Sequence, residues 1–101
     1  MTDAAAFDEL IHPATRLSIV ALLAAADWAD FAFIRDQLGL SDSALSKQLA
    51  TLEDAGYVAI ERPLSERRRR VRARLTPLGR KRFESHVAAL RRIIADAVPQ
   101  S

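Results

Sequence analysis

The sequence predicts a mainly α-helical fold with one small β-hairpin, organised around a helix-turn-helix, and three stretches support that prediction. In LGLSDSALSKQLATLEDAG, Leu38 to Gly56, the leucines at 45, 49 and 52 recur at i, i+4 and i+7, the spacing of one helix side. In RVRARL, Arg70 to Leu75, basic and apolar residues alternate, as in a strand with one buried and one wet face. From Thr76-Pro77 onward, an apolar stripe at helical spacing continues to Ala97.

Taken in order, Asp3 to Ile11 is expected to form a short first helix with Phe7, Leu10 and Ile11 on its apolar side. His12-Pro13 interrupts it, because proline disfavours helical geometry in the residue before it and suits the first position of a new helix. A second helix is expected from Pro13 to about Ala26, with Leu17, Val20, Leu23 and Ala24 as its core face. Arg16 is its only base. It reads as a surface partner for an acid such as Asp8 or Glu9, with a phosphate contact as the alternative. Asp27 to Asp30 reads as a connection in which Trp28 is a lid on the core edge, ligand stacking being the other reading.

Phe31 to Leu38 is expected to be a short helix, although Phe31 could sit in a brief extended piece before it. Gly39 lies in the turn that follows. Leu40-Ser41-Asp42 ends in a helix cap, since a short oxygen-bearing side chain there accepts from orphan backbone N–H groups, and the next helix is expected from about Ser43. Its outer face is small and hydrogen-bonding: Ser43, Ala44, Ser46, Lys47, Gln48 and Thr51. Such a face suits close approach to base edges in a major groove, whereas a solvated helix normally carries long charged pairs. Short amphipathic helix pairs also occur in plain bundles, so this stretch alone leaves a structural pair open.

Gly56 is placed to end that helix in the left-handed conformation. Tyr57 to Arg62 then reads as a strand, Pro63 to Glu66 breaks it, and Arg70 to Leu75 returns with Val71, Ala73 and Leu75 inward and Arg70, Arg72 and Arg74 outward. The tip is Arg67, Arg68 and Arg69. Seven arginines between Arg62 and Arg74 repel one another more than a sheet edge requires, and a bound polyanion relieves that repulsion. Thr76-Pro77 starts the last helix. Phe83, Val87, Leu90, Ile94 and Ala97 form its stripe, widened by Leu78, Ala89 and Ile93, which is more apolar surface than so small a core covers. Self-association is the expectation, and packing onto the same chain is the alternative.

The 101 residues predict a single compact unit, in which 1–76 is the nucleic-acid-binding part and 77–101 the C-terminal helix. With 50% hydrophobic and 28% charged residues the profile is that of a soluble globular chain. No apolar run reaches the roughly 20 residues of a membrane span, and Met1-Thr2-Asp3 does not open a secretory signal. Cysteine is absent, which excludes disulfides and thiolate ligands and fits a cytoplasmic location. The net charge of +2 hides a strong asymmetry: residues 1–60 are acidic, whereas Glu61 to Arg82 holds ten bases against Glu61 and Glu66. No nucleophile elbow, phosphate loop or paired-carboxylate motif is present, so an enzyme is not expected.

Helix, helix, helix-turn-helix, hairpin and terminal helix is the order of a winged helix-turn-helix. The pieces IHPATRLSIVALL, LGLSDSALSKQLATLEDAGYV, the basic hairpin and LTPLGRKRF together resemble the small bacterial winged-helix transcriptional regulators related to the MarR and ArsR groups. The resemblance implies a homodimer on a near-palindromic double-stranded DNA operator, acting as a repressor. Ser43, Ala44, Ser46, Lys47, Gln48 and Thr51 would read the major groove, and Arg67, Arg68 and Arg69, supported by Arg70 and Arg72, would form the wing. Phe83, Val87, Leu90 and Ile94 would meet across the dimer. ArsR relatives often sense metals through Cys, His and carboxylate clusters, but here there are only His12 and His86, far apart in sequence, so no metal or other cofactor is expected. A small-molecule effector, as in MarR relatives, has no support from the residues. The competing function is a winged-helix RNA-binding or protein-interaction module without operator specificity.

Overall fold

Each helix after the first in the computed structural model, which describes residues 6–62 and 70–97, begins or ends where the sequence supplies a cap. Helix α1 (Ala14–Ala26) follows Pro13. Helix α2 (Phe31–Leu38) is closed by Gly39 at φ 65°, a left-handed residue whose turn lets the Leu40 N–H reach the Arg35 carbonyl at 3.0 Å. Helix α3 (Asp42–Asp54) is capped by Ser41, whose Oγ accepts from the Ala44 N–H at 3.1 Å, one residue earlier than the expected start at Ser43. Gly56, at φ 83°, ends the α3 region as expected, with the Tyr57 N–H returning to the Leu52 carbonyl at 2.9 Å. Helix α4 (Pro77–Ala97) is capped by Thr76, whose Oγ1 accepts from the Gly79 N–H at 3.0 Å.

Two expectations need correction. Residues 6–11 are not helical: the Asp8 side chain accepts from the Leu10 N–H at 2.9 Å, and the Asp8 N–H donates to His86 Nδ1 at 2.9 Å, so local and tertiary partners replace the helical ones. Residues 1–5 of that expected helix lie outside the described residues. The connection expected at Asp27 to Asp30 contains a strand, β1 (Trp28–Asp30). With β2 (Val58–Glu61) and β3 (Arg72–Leu75) it forms a three-stranded antiparallel sheet ordered β1-β3-β2, so the hairpin is two-thirds of the sheet. Three residues are too few to show an alternating pattern, and only long-range pairing of Trp28 with Arg74 and Asp30 with Arg72 makes them a strand.

The core lies where α1, α2, α3 and the inner sheet face converge. Ile19, Val20 and Leu23 of α1 meet Ile34, Leu45, Leu49 and Leu52, with Val58, Ala73 and Leu75 from the sheet and Ile11 closing the N-terminal side. The three α3 leucines are all buried, as their spacing required. On α1, Ile19 is buried and Leu17 only half-buried, so the core face is rotated slightly from the expected one. Asp27 ends α1 at φ 68°, and Arg80 of α4 donates to the Ala24 carbonyl at 3.3 Å. That arginine supplies positive charge to the C-terminal end of α1, where carbonyls lack helical partners.

Candidate nucleic-acid interface

Helix α3 is held by its leucines so that its opposite side faces out. Ser43, Ser46 and Lys47 are exposed, while Ala44, Gln48 and Thr51 on the flank toward α1 are half-buried. Thr51 Oγ1 donates to the Lys47 carbonyl at 3.2 Å. The ends of the helix are acidic, a feature outside the expected hydrogen-bonding set: Asp42 pairs with Arg35 at 2.9 Å, and Glu53 and Asp54 are exposed. The other flank, with Asp42, Ser46, Ala50 and Glu53, borders an open groove of about 410 Å³ whose far wall includes Phe31, Ile60, Arg62 and Val71.

Gln48 does not stand free. Arg16 Nη1 donates to its Oε1 at 3.0 Å, and Arg16 Nε donates to the Leu10 carbonyl at 2.6 Å. The expected partnership of Arg16 with Asp8 or Glu9 is therefore replaced by a bridge from the N-terminal turn to α3. Periodicity could not indicate it, because the partners are 32 residues apart.

On the outer sheet face, the pleat places Arg72 between Asp30 and Glu61, and Arg74 between Trp28 and Ala59. Glu61 accepts from Arg72 at 3.0 Å and from Arg74 at 3.3 Å, while Arg70 pairs with Asp30 at 3.2 Å. The Arg72 guanidinium also lies 4.2 Å from the ring centroid of Trp28. Trp28 is 48% exposed, so its role is that of a platform for arginine on the wet face, in place of a lid on the core. Exposed pairs of this kind are individually weak, about 0–1 kcal/mol, and are readily exchanged for a stronger anion. Arg67, Arg68 and Arg69 lie outside the described residues.

Helix α4 divides along its length. Gly79, His86 and Ala89 are buried against the same chain, and Phe83 packs on its core. Val87 and Leu90 are half-buried, Ile93 and Ile94 are 52% and 61% exposed, and every residue from Arg91 to Ala97 is exposed. His12 and His86, distant in sequence, are close in space, with ring centroids 5.4 Å apart and Phe7 4.7 Å from each. His86 is fully buried, and burial first, then the neighbouring His12, pushes its pKa down. No group of three metal-ligating side chains occurs among the described residues. Nor is any described helix long and apolar enough to cross a membrane.

A family model described as a winged helix DNA-binding domain matches residues 15–94. An uncharacterised protein of Methanocaldococcus jannaschii is 25% identical over 79 residues, covering 78% of this chain and 86% of that one. Among solved structures, a transcriptional regulator homologue from Pyrococcus horikoshii superposes with a TM-score of 0.83 at 22% identity, covering 88% of each chain. The HlyU protein of Vibrio cholerae gives 0.65 at 24% identity, covering 86% of each. The structural neighbours are MarR-like transcriptional regulators from bacteria and archaea, and the likeness is one of fold.

Proposed function

Because the chain belongs to the family of winged helix DNA-binding domains, we propose that it is a sequence-specific regulator of transcription, a homodimer that binds a near-palindromic operator in double-stranded DNA and represses. The observation that carries this reading is the outer side of α3. Three buried leucines fix the helix, and Ser43, Ser46 and Lys47 offer compact donors and acceptors on its open side, with Gln48 and Thr51 half-buried on the flank beside them. In this reading α3 enters the major groove, with Ala44 allowing close approach. Arg67, Arg68 and Arg69, supported by Arg70 and Arg72, meet the flanking backbone or minor groove. Phosphate displaces Asp30 and Glu61 from the strand arginines, because a charge-assisted bidentate contact to phosphate exceeds a solvent-screened carboxylate pair.

Two recognition helices in successive major grooves require half-sites about one turn apart, roughly 34–36 Å. The exposed C-terminal half of α4, with Val87, Leu90 and Ile94, is the surface through which the second copy is joined. Phe83 contributes by bracing that helix on its own core. A protein that acts on chromosomal DNA in this way works in the cytoplasm of a prokaryotic cell.

The test is selection of bound duplexes from a random DNA pool, with the enriched sites sequenced. Enrichment of a near-palindrome with one-turn spacing is expected. Binding without enrichment would reduce the protein to a nonspecific nucleic-acid contact, and no binding would favour a protein-interaction module. Within a recovered operator, Lys47→Ala with Gln48→Ala is expected to flatten discrimination against random duplex.

A further inference from the structure

We infer that Arg16 sets the base preference of Gln48, turning the side chain so that it reads an acceptor edge, guanine N7 and O6, in preference to adenine. The inference deepens the operator-binding reading above and rests on it. A glutamine amide has one accepting and one donating end, and free rotation lets it present either or both. A guanidinium has donors only, so the end of Gln48 that meets Arg16 Nη1 at 3.0 Å is necessarily the oxygen. The amide nitrogen is then turned away from Arg16, and among the described residues it donates to nothing.

Arg16 is itself held. It sits in the first turn of α1, its Nε donates to the Leu10 carbonyl at 2.6 Å, and it is half-buried between the N-terminal turn and α3. A side chain anchored at two points loses little further entropy when it orients a third group. Bidentate recognition of adenine needs the amide oxygen to accept from N6 while the nitrogen donates to N7. With the oxygen drawn to Arg16 and one of its two lone pairs engaged there, the NH₂ group is the unengaged end of the amide, and its two hydrogens match the two acceptors of guanine. Arg16 thereby acts as a positioning residue that touches no base.

The experiment measures binding of the full-length protein to a panel of single-base variants of its selected operator. For wild type, one base pair per half-site is expected to prefer guanine on the contacted strand by roughly 5-fold to 150-fold, the range of one good base contact. Gln48→Ala identifies that base pair by abolishing the preference there. Arg16→Met is expected to abolish it, or turn it toward adenine, at the same base pair only, with the base preferences at the other positions unchanged. Gln48→Glu keeps an acceptor for Arg16, and so keeps the bridge and the fold, but removes the donor; the preference is expected to move to cytosine, whose N4 donates. A Gln48-dependent base pair that prefers adenine would overturn the inference. An Arg16→Met protein with unchanged preference at that base pair, or one weakened equally at every position, would overturn it while leaving the operator reading in place. A wild-type protein with no base preference anywhere would overturn both.

Discussion

Asp8 is the residue at which three distant parts of the chain meet. Its Oδ2 accepts from the Tyr57 hydroxyl at 2.6 Å, its Oδ1 from the Leu10 N–H, and its own N–H donates to His86. Asp8→Ala leaves a buried phenol without its acceptor and is expected to cost about 1–3 kcal/mol in a denaturant melt. Tyr57 is pushed up to about 12 from 10.0, by burial first and then by its bond to Asp8. A raised folded-state value stabilises below the unfolded one, so this contribution is expected to fade as pH climbs from about 10 to about 12. For His86 the sign is opposite. Its pKa lies below the usual 6.5, so the unfolded chain binds the extra proton first and stability falls as pH drops below that value. Thermal melts from about pH 7.5 to pH 5.5 should show the decline, and His86→Gln, which does not titrate, should flatten it. Gly79 is constrained by space: a Cβ there would meet the Tyr57 carbonyl oxygen at 2.1 Å, and that oxygen is already fixed by the Thr76 N–H at 3.0 Å. Gly79→Ala is therefore expected to lose about 2 kcal/mol or more of unfolding free energy, since backbone must move to admit the methyl. None of these constraints was legible in the sequence, where Asp8, Tyr57, Gly79 and His86 share no period.

Among the elements, α3 was the most legible, because a helix one side of which is leucine and the other small polar residues has a single way to lie on a core. Its cap, its closing glycine and its buried face follow from local chemistry at Ser41, Gly56, Leu45, Leu49 and Leu52. Strand β1 was illegible for the converse reason: its hydrogen bonds are all made to a segment more than 40 residues away. The stripe on α4 announced a helix but not its division of labour. Phe83 faces its own core, and His86 replaces an apolar residue on the buried side, whereas Ile93 and Ile94 are left in water. If those isoleucines join a second copy, Ile94→Asp is expected to raise the dimer dissociation constant at least about tenfold, since burial of such a side chain contributes about 1.5–3 kcal/mol. Sedimentation equilibrium reads the change, and an unaltered far-ultraviolet spectrum verifies that the helix persists. An unchanged dissociation constant would remove this face from the dimer.

At the scale of the whole molecule, charge is sorted into an acidic body and a basic segment, and the fold then folds some acid back onto the bases. Glu61 and Asp30 accompany the strand arginines. Arg80 serves the end of α1, so only part of the basic segment is available to a polyanion. Replacing one wing arginine, as in Arg68→Ala, is expected to weaken all duplexes alike and to reduce the slope of log K against log salt by about 0.9, one phosphate's worth of released counterion. A slope that does not change would separate that side chain from the phosphates. The sequence by itself determined helices α1 to α4, the caps of α3 and α4, the alternating strand and the side of α3 that faces outward, because each depends on residues within one or two turns of chain. The short helix it also suggested before His12 is replaced over residues 6–11 by the contacts of Asp8. Only the tertiary structure decided that β1 completes the sheet, that Asp8 locks Tyr57 to His86, that Trp28 supports Arg72, and that Arg16 governs Gln48. Those are contacts between groups tens of residues apart, and no local pattern encodes which of many compatible donors and acceptors the packed core will bring together.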